Sequence, residues 1–228
     1  MLLSKNWLND YIKIDVNPRE FAEAMTLSGS KVEVYEDLNE KIKNVVVGKI
    51  LKIEKHPDAD KLVVCQVDVG KDLPVQIVTG AKNVSEGDLV PCCLDNALLP
   101  NGTKIKKGKL RGVESFGMMC SIAELGMTLH DFPNACEDGI FILNNESVKV
   151  GEEIKNLIGY NDVITEFEIT PNRPDCLSVI GLAREAAATF GKNFKIKTPF
   201  VKAGADDINN YLSVEVKNTD LCKRYTAR

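Results

Sequence analysis

The chain has 228 residues, 44% of them apolar, with 29 basic and 33 acidic residues and a net charge of −4. Those values describe an ordinary soluble globular chain that buries a core, as one large domain or two small ones. They exclude a uniformly cationic surface, so any nucleic-acid partner must be met by a local basic patch.

The amino terminus, MLLSKNWLNDYIK, places Lys5, Asn6, Asn9 and Asp10 where a signal peptide would need an unbroken apolar run. No later stretch approaches transmembrane length, so a cytoplasmic protein without a membrane partner is expected. Seven cysteines (65, 92, 93, 120, 136, 176 and 222) form no CxxC pair, which argues against a disulfide framework or a zinc site. They read as reduced, mostly buried thiols. Adjacent Cys92 and Cys93 would point to opposite faces of a strand. His56 and His130 have no partners at metal-ligand spacing.

Asn17-Pro18-Arg19-Glu20 reads as a helix start, with Asn17 as cap, Pro18 at the first helical position and Glu20 completing a capping box; the helix should end near Gly29. Residues 31–38 alternate around Val32 and Val34 and predict a short strand with one solvated face. From Val45 the pattern changes to short β-rich runs: VVVGKILKIE, KLVVCQVDVG, VQIVTGA, DLVPCCL and, further on, GIFILN. That spacing predicts a small all-β barrel. Residues 163–170 alternate like a strand, and 175–190 read as a helix capped by Asp175 or Ser178 and closed by Gly191. Its packing stripe is expected at Leu177, Ile180, Ala183, Arg184 and Ala187.

Residues 1–38 and 152–198 are each too small to bury a core alone. They are expected to fold together, giving an α+β protein: a small split α+β domain with an inserted all-β OB-fold barrel at 39–151. Residues 199–228 read as a linker followed by a lone alternating strand at 212–216, the start of a further domain.

Within 39–151, 14 Lys and Arg face 15 Asp and Glu, but the charges are unevenly placed. Lys104, Lys106, Lys107, Lys109 and Arg111 cluster with no acidic residue between Asn96 and Val113, a pattern suited to a phosphate backbone, although such runs are commonly only solvated faces. Lys55, His56, Lys61, Lys82 and Asn83 sit at turns that could extend the same surface. Ser115 and Ser121 offer hydroxyls to phosphate or ribose, or else bond local backbone. Phe116 can stack on a base or pack in the core. With only Phe116, Phe132 and Phe141 as barrel aromatics, backbone and shape should dominate recognition. No GxSxG elbow appears and neither histidine has a nucleophile partner in local sequence, so no catalytic residue and no metal ligand is assigned.

KHPDADKL at 55–62, IVTGAKN at 77–83, LPNG at 99–102 and LRGVESFGMMCS at 110–121 together resemble the tRNA-binding domain of synthetase-associated proteins. The flanks SKNWLNDYI, TLSGSKVE and EITPNRPDCLSVIGLAREAAA resemble the β subunit of bacterial phenylalanyl-tRNA synthetase. The resemblance implies an OB domain inserted in an amino-terminal α+β domain, with auxiliary binding of phenylalanine-accepting tRNA. It implies an α-subunit partner in an α2β2 heterotetramer, and ATP and magnesium for the full enzyme, with no cofactor in this segment. It also implies that an editing domain follows, opening at NTDLCKRYTAR. The rival readings are a structural module for assembly, a free-standing tRNA-binding protein and a hydrolase.

Overall fold

The structure is a computed structural model that describes residues 1–143, 148–196, 198, 200–202 and 204–226. Residues 1–195 and 196–228 form two compact units. The first unit opens with β1 (Leu2–Ser4), α1 (Lys5–Leu8), α2 (Pro18–Leu27) and β2 (Val32–Asp37). A run of strands follows: β3 (Lys43–Lys55), β4 (Val63–Asp68), β5 (Val75–Thr79), β6 (Leu89–Leu98), β7 (Lys104–Ile105), β8 (Gly108–Leu110), β9 (Val113–Ser115) and β10 (Gly117–Met119). The unit closes with β11 (Val163–Phe167) and α3 (Val179–Phe190).

The helix ends follow from capping chemistry. Asn17 Oδ1 accepts from the Glu20 amide at 2.9 Å with Pro18 in the first turn, satisfying a donor that has no partner within the helix. Ser178 Oγ does the same for Gly181 at 3.0 Å at the start of α3. At its other end Gly191 takes φ +60°. There Lys192 N–H reaches Ala187 O at 2.9 Å and Gly191 N–H reaches Ala188 O at 3.4 Å, a Schellman closure.

The α3 helix begins later than its sequence suggests, because Pro174–Cys176 forms a 3₁₀ turn. That turn takes Leu177 out of helical register and leaves it 63% exposed, while Arg184 points outward with its guanidinium 5.6 Å from the Phe194 ring centre. Ala183 and Ala187 are buried as expected, and Val179, Leu182 and Ala186 complete the stripe in place of Leu177, Ile180 and Arg184. It packs with Leu3, Leu8, Phe21, Met25 and Phe167 in one core cluster. Phe21 stacks on Phe190 at 5.8 Å and meets Phe167 edge-on at 6.5 Å.

Strands β1, β11 and β2 form an antiparallel sheet with β11 in the centre. The chain leaves this sheet at Leu38 and returns at Asp162, and the two points are joined by Leu38 N–H to Asp162 O at 3.0 Å. The Asp162 carboxylate also accepts from Ser4 Oγ, from Asn6 N–H at 3.0 Å and from Val163 N–H at 2.7 Å. Four donors from three chain segments thus meet on one residue.

Between those points lies a coiled antiparallel sheet in the order β10-β6-β3-β4-β5. Its open side is closed by Phe116 N–H to Gln76 O at 2.9 Å and by Val78 N–H to Ser115 Oγ at 3.0 Å. One face of the sheet holds the barrel core around Ile50, Val67, Ile77, Val90 and Cys92. The other face holds Val45, Val47, Cys93, Cys120, Leu125 and Phe141. Cys92 and Cys93 therefore belong to different cores, and both are fully buried. Ile154 and Ile158 join the second of these cores, beyond the expected border at 151, and Val46 bridges to Glu153.

Two expected strands are absent as such. Residues 139–143 form an extended strap outside any named strand, held by Phe141 N–H to Cys120 O and Leu143 N–H to Leu89 O; Asn144, at its expected end, lies outside the described residues. Residues 212–216 are irregular: Leu212 and Val214 are more than half exposed, and among the described residues no neighbouring strand supplies a ladder. The second unit contains a single 3₁₀ turn, Ile208–Asn210, among its described residues. The expected linker start at Pro199 also lies outside the described residues.

Burial pushes the Cys65 and Cys176 thiols up to about 11 and Cys92 up to about 12. Cys120 is raised by its hydrogen bond with Cys93 and by burial. Only Cys136 and Cys222 are exposed. At pH 8 a disulfide-exchange reagent should titrate those two thiols quickly and the other five only after denaturant is added. A third fast thiol in the native chain would contradict this packing.

Candidate nucleic-acid interface

The cationic cluster owes its exposure to one half-buried anchor and one tight turn. Ile105 packs against the second core, so the alternation along the strand turns its neighbours Lys104 and Lys106 outward. The Lys107 amide is held by Asp95 Oδ1 at 3.0 Å. The β8–β9 hairpin then pairs Gly108 with Ser115, Lys109 with Glu114 and Leu110 with Val113. Its two-residue loop has positive φ at both Arg111 (+48°) and Gly112 (+90°), as a type I′ turn requires, and so carries Arg111 at the tip.

All five cations are exposed. Lys109 Nζ lies 3.5 Å from Glu114 Oε1, an open pair that contributes little. Among the described residues Lys104, Lys106, Lys107 and Arg111 have no ion-pair partner. Lys55, Lys61 and Lys82 are exposed as well, and the last two line a shallow depression of about 380 Å3 together with Asp60.

The uncharged site residues play a different part. His56 is only 6% exposed, accepts from the Asp58 amide at Nδ1 (3.1 Å) and donates from Nε2 to Leu110 O at 3.0 Å. The imidazole is therefore the joint between the 55–62 loop and the basic hairpin, with neither nitrogen left for a phosphate. Ser115 Oγ accepts from Val78 N–H and donates to Gly117 O at 2.8 Å, which commits it to barrel closure. Asn83 clamps both backbone groups of Ile140, at 2.8 and 3.1 Å, and so pins the 139–143 strap. Ser121 and Glu124 form a reciprocal turn in which Ser121 N–H donates to Glu124 Oε2 at 2.7 Å.

Phe116 is not core: it is 42% exposed. Gly117 beside it has no room for a side chain, since a Cβ there would stand 2.3 Å from Cys93 O. Sequence reading singles out neither Glu114 nor Gln76, yet Gln76 Nε2 donates to Glu114 O at 2.7 Å under the same hairpin. Glu114 could have been found from the turn register alone, because Arg111-Gly112 at the tip sets it opposite Lys109.

Residues 45–153 match the family described as "Putative tRNA binding domain". The chain is 51% identical over 97% of its length to the phenylalanine--tRNA ligase beta subunit of Clostridium tetani, and 50% identical over all of it to that of Clostridium acetobutylicum. The chain is related along its whole length to phenylalanine--tRNA ligase beta subunits. It spans 27% and 28% of the length of these two relatives. Among solved structures, the MetRS related protein from Pyrococcus horikoshii aligns with 53% of this chain and 96% of its own at 28% identity, with a TM-score of 0.35.

Outside residues 45–153, Asp175, Cys176 and Glu185 bring three metal-type ligand atoms together. Arg173 already occupies that space, with Nη2 at 3.0 Å from Asp175, 2.8 Å from Glu185 and 3.1 Å from Cys176 Sγ. A guanidinium in that position satisfies the carboxylates and does not fit a metal ion.

His56→Ala would leave Leu110 O and the Asp58 amide without their partner. It should lower stability in urea by about 1–3 kcal/mol and speed amide exchange in the hairpin. Unchanged stability combined with a shallower salt dependence of RNA binding would instead make His56 a direct phosphate contact.

Proposed function

We propose that the barrel binds tRNA electrostatically through Lys104, Lys106, Lys107, Lys109 and Arg111, with Lys55, Lys61 and Lys82 as further cations. The carrying observation is that all five clustered cations are exposed and four of them have no ion-pair partner among the described residues, on a segment that matches a tRNA-binding family. Each neutralised phosphate releases counterions, which is how a chain of net charge −4 can still bind a polyanion at one place.

On this reading the chain is one part of a phenylalanine–tRNA ligase β subunit, and its barrel adds contacts to phenylalanine-accepting tRNA during aminoacylation in the cytoplasm. The aminoacylation chemistry, its ATP and magnesium and the α-subunit partner of the heterotetramer belong to the whole enzyme; no residue described here is assigned to them. Residues 1–38 and 162–195 act as the α+β frame and the residues between them as its insertion. This division rests on the core shared by Leu3, Phe21, Phe167 and Leu182 and on the Leu38–Asp162 bond.

A second reading makes the chain chiefly an assembly module. An open apolar depression between α2 and β2 favours it, lined by Ala22, Thr26, Val32 and Val34, with Leu27 89% exposed.

Reversing charge at Lys106, Lys107 and Arg111 separates the two. Binding of phenylalanine-accepting tRNA and of an unrelated tRNA should weaken together, and the log–log salt slope should flatten by about 0.9 per lost phosphate contact. An unchanged slope removes the patch and leaves the assembly reading.

A further inference from the structure

Beside the patch, Phe116 presents an aromatic ring that the fold does not use. Its backbone is fixed on both sides: its own amide bonds Gln76 O, Ser115 is locked into barrel closure, and Gly117 abuts the Cys93 carbonyl. The ring therefore cannot withdraw into the core by a small shift, and it stays 42% exposed. Together with Lys107, Gly108, Lys109 and Glu114 it lines an open depression of about 370 Å3. That volume lies within the range of small-molecule sites, about 300–1,000 Å3.

Three kinds of group meet there: a π face, ammonium groups and a carboxylate. A surface that reads only phosphates has no use for the ring and is opposed by the carboxylate. An unpaired nucleotide uses all three. Its base stacks on the ring, its phosphate meets Lys107, which has no ion-pair partner among the described residues, and its base amino group or ribose 2′-hydroxyl donates to Glu114. Lys109, 3.5 Å from Glu114 Oε1 across the hairpin, adds a second cation to the same depression. A base inside a duplex cannot bind in this way, because its faces are covered by its neighbours.

We propose that the Phe116 depression is a subsite for one unpaired nucleotide of a folded RNA, with Phe116 as the stacking platform, Lys107 as the phosphate contact and Glu114 as the acceptor. This rests on the tRNA-binding reading and adds a preference for unpaired bases to a patch otherwise blind to them.

The test uses the full chain with two RNAs of equal length, a hairpin carrying 2-aminopurine in its loop and a blunt duplex. The hairpin should bind roughly ten-fold tighter than the duplex, with the probe's fluorescence quenched on binding. Phe116→Ala should abolish that preference and the quenching while leaving the salt slope unchanged, because a ring releases no counterions. Phe116→Tyr should retain all three. Equal affinity for the two RNAs, with a steep salt slope, would overturn the subsite and leave the patch intact. A preference that survives Phe116→Ala would do the same. Absence of binding by either RNA would overturn the subsite and the tRNA-binding reading together.

Discussion

Strand β6 is buried on both faces over residues 90–93, and the organisation of the barrel depends on that stretch. Cys92 faces the barrel core and Cys93 the outer core, and neither has any exposed surface. Half-exposed strands can tolerate a one-residue slip only by turning their apolar side to water. In β6 a slip would exchange the residues of two cores at once, so the register with β3 on one side and β10 on the other is strongly fixed. Gly117 shows how tight the fit is, since no side chain can enter between β10 and the Cys93 carbonyl.

The basic hairpin inherits its position from that register. Closure of the barrel through Gln76, Val78 and Ser115 fixes residues 115–116 at the base of the hairpin, and the His56–Leu110 bond holds the hairpin next to its tip turn. The residues between are then free to be charged. Buried polar groups thus act as joints, and the cations beside them stay exposed. This division of labour explains how a barrel with nearly balanced charge presents a concentrated basic surface.

Much of this was legible in the sequence, and the failures have physical causes. The Asn17 cap, the β3 to β6 strands and the opposed faces of Cys92 and Cys93 follow from local rules of capping and alternation. The α3 stripe was displaced because Pro174 tightened the first turn into 3₁₀ geometry. The 139–143 strap alternates like a strand but is held by a side-chain clamp from Asn83 and isolated backbone bonds. His56, Ser115 and Asn83 look like exposed ligands because their loops are polar. Their partners Leu110, Val78 and Ile140 lie 37 to 57 residues away, and no local pattern reports such contacts. The exposure of the cations was easier to read, since it needs no distant partner.

The central claim is that RNA meets the 104–116 segment and not the α2–β2 side of the molecule. Hydrogen exchange of the chain, with and without phenylalanine-accepting tRNA at low salt, tests this most directly. The account predicts slowed exchange at residues 104–116 and in the 55–62 loop, reversed by added salt. Protection confined to residues 18–37, or no protection anywhere in the barrel, would contradict it.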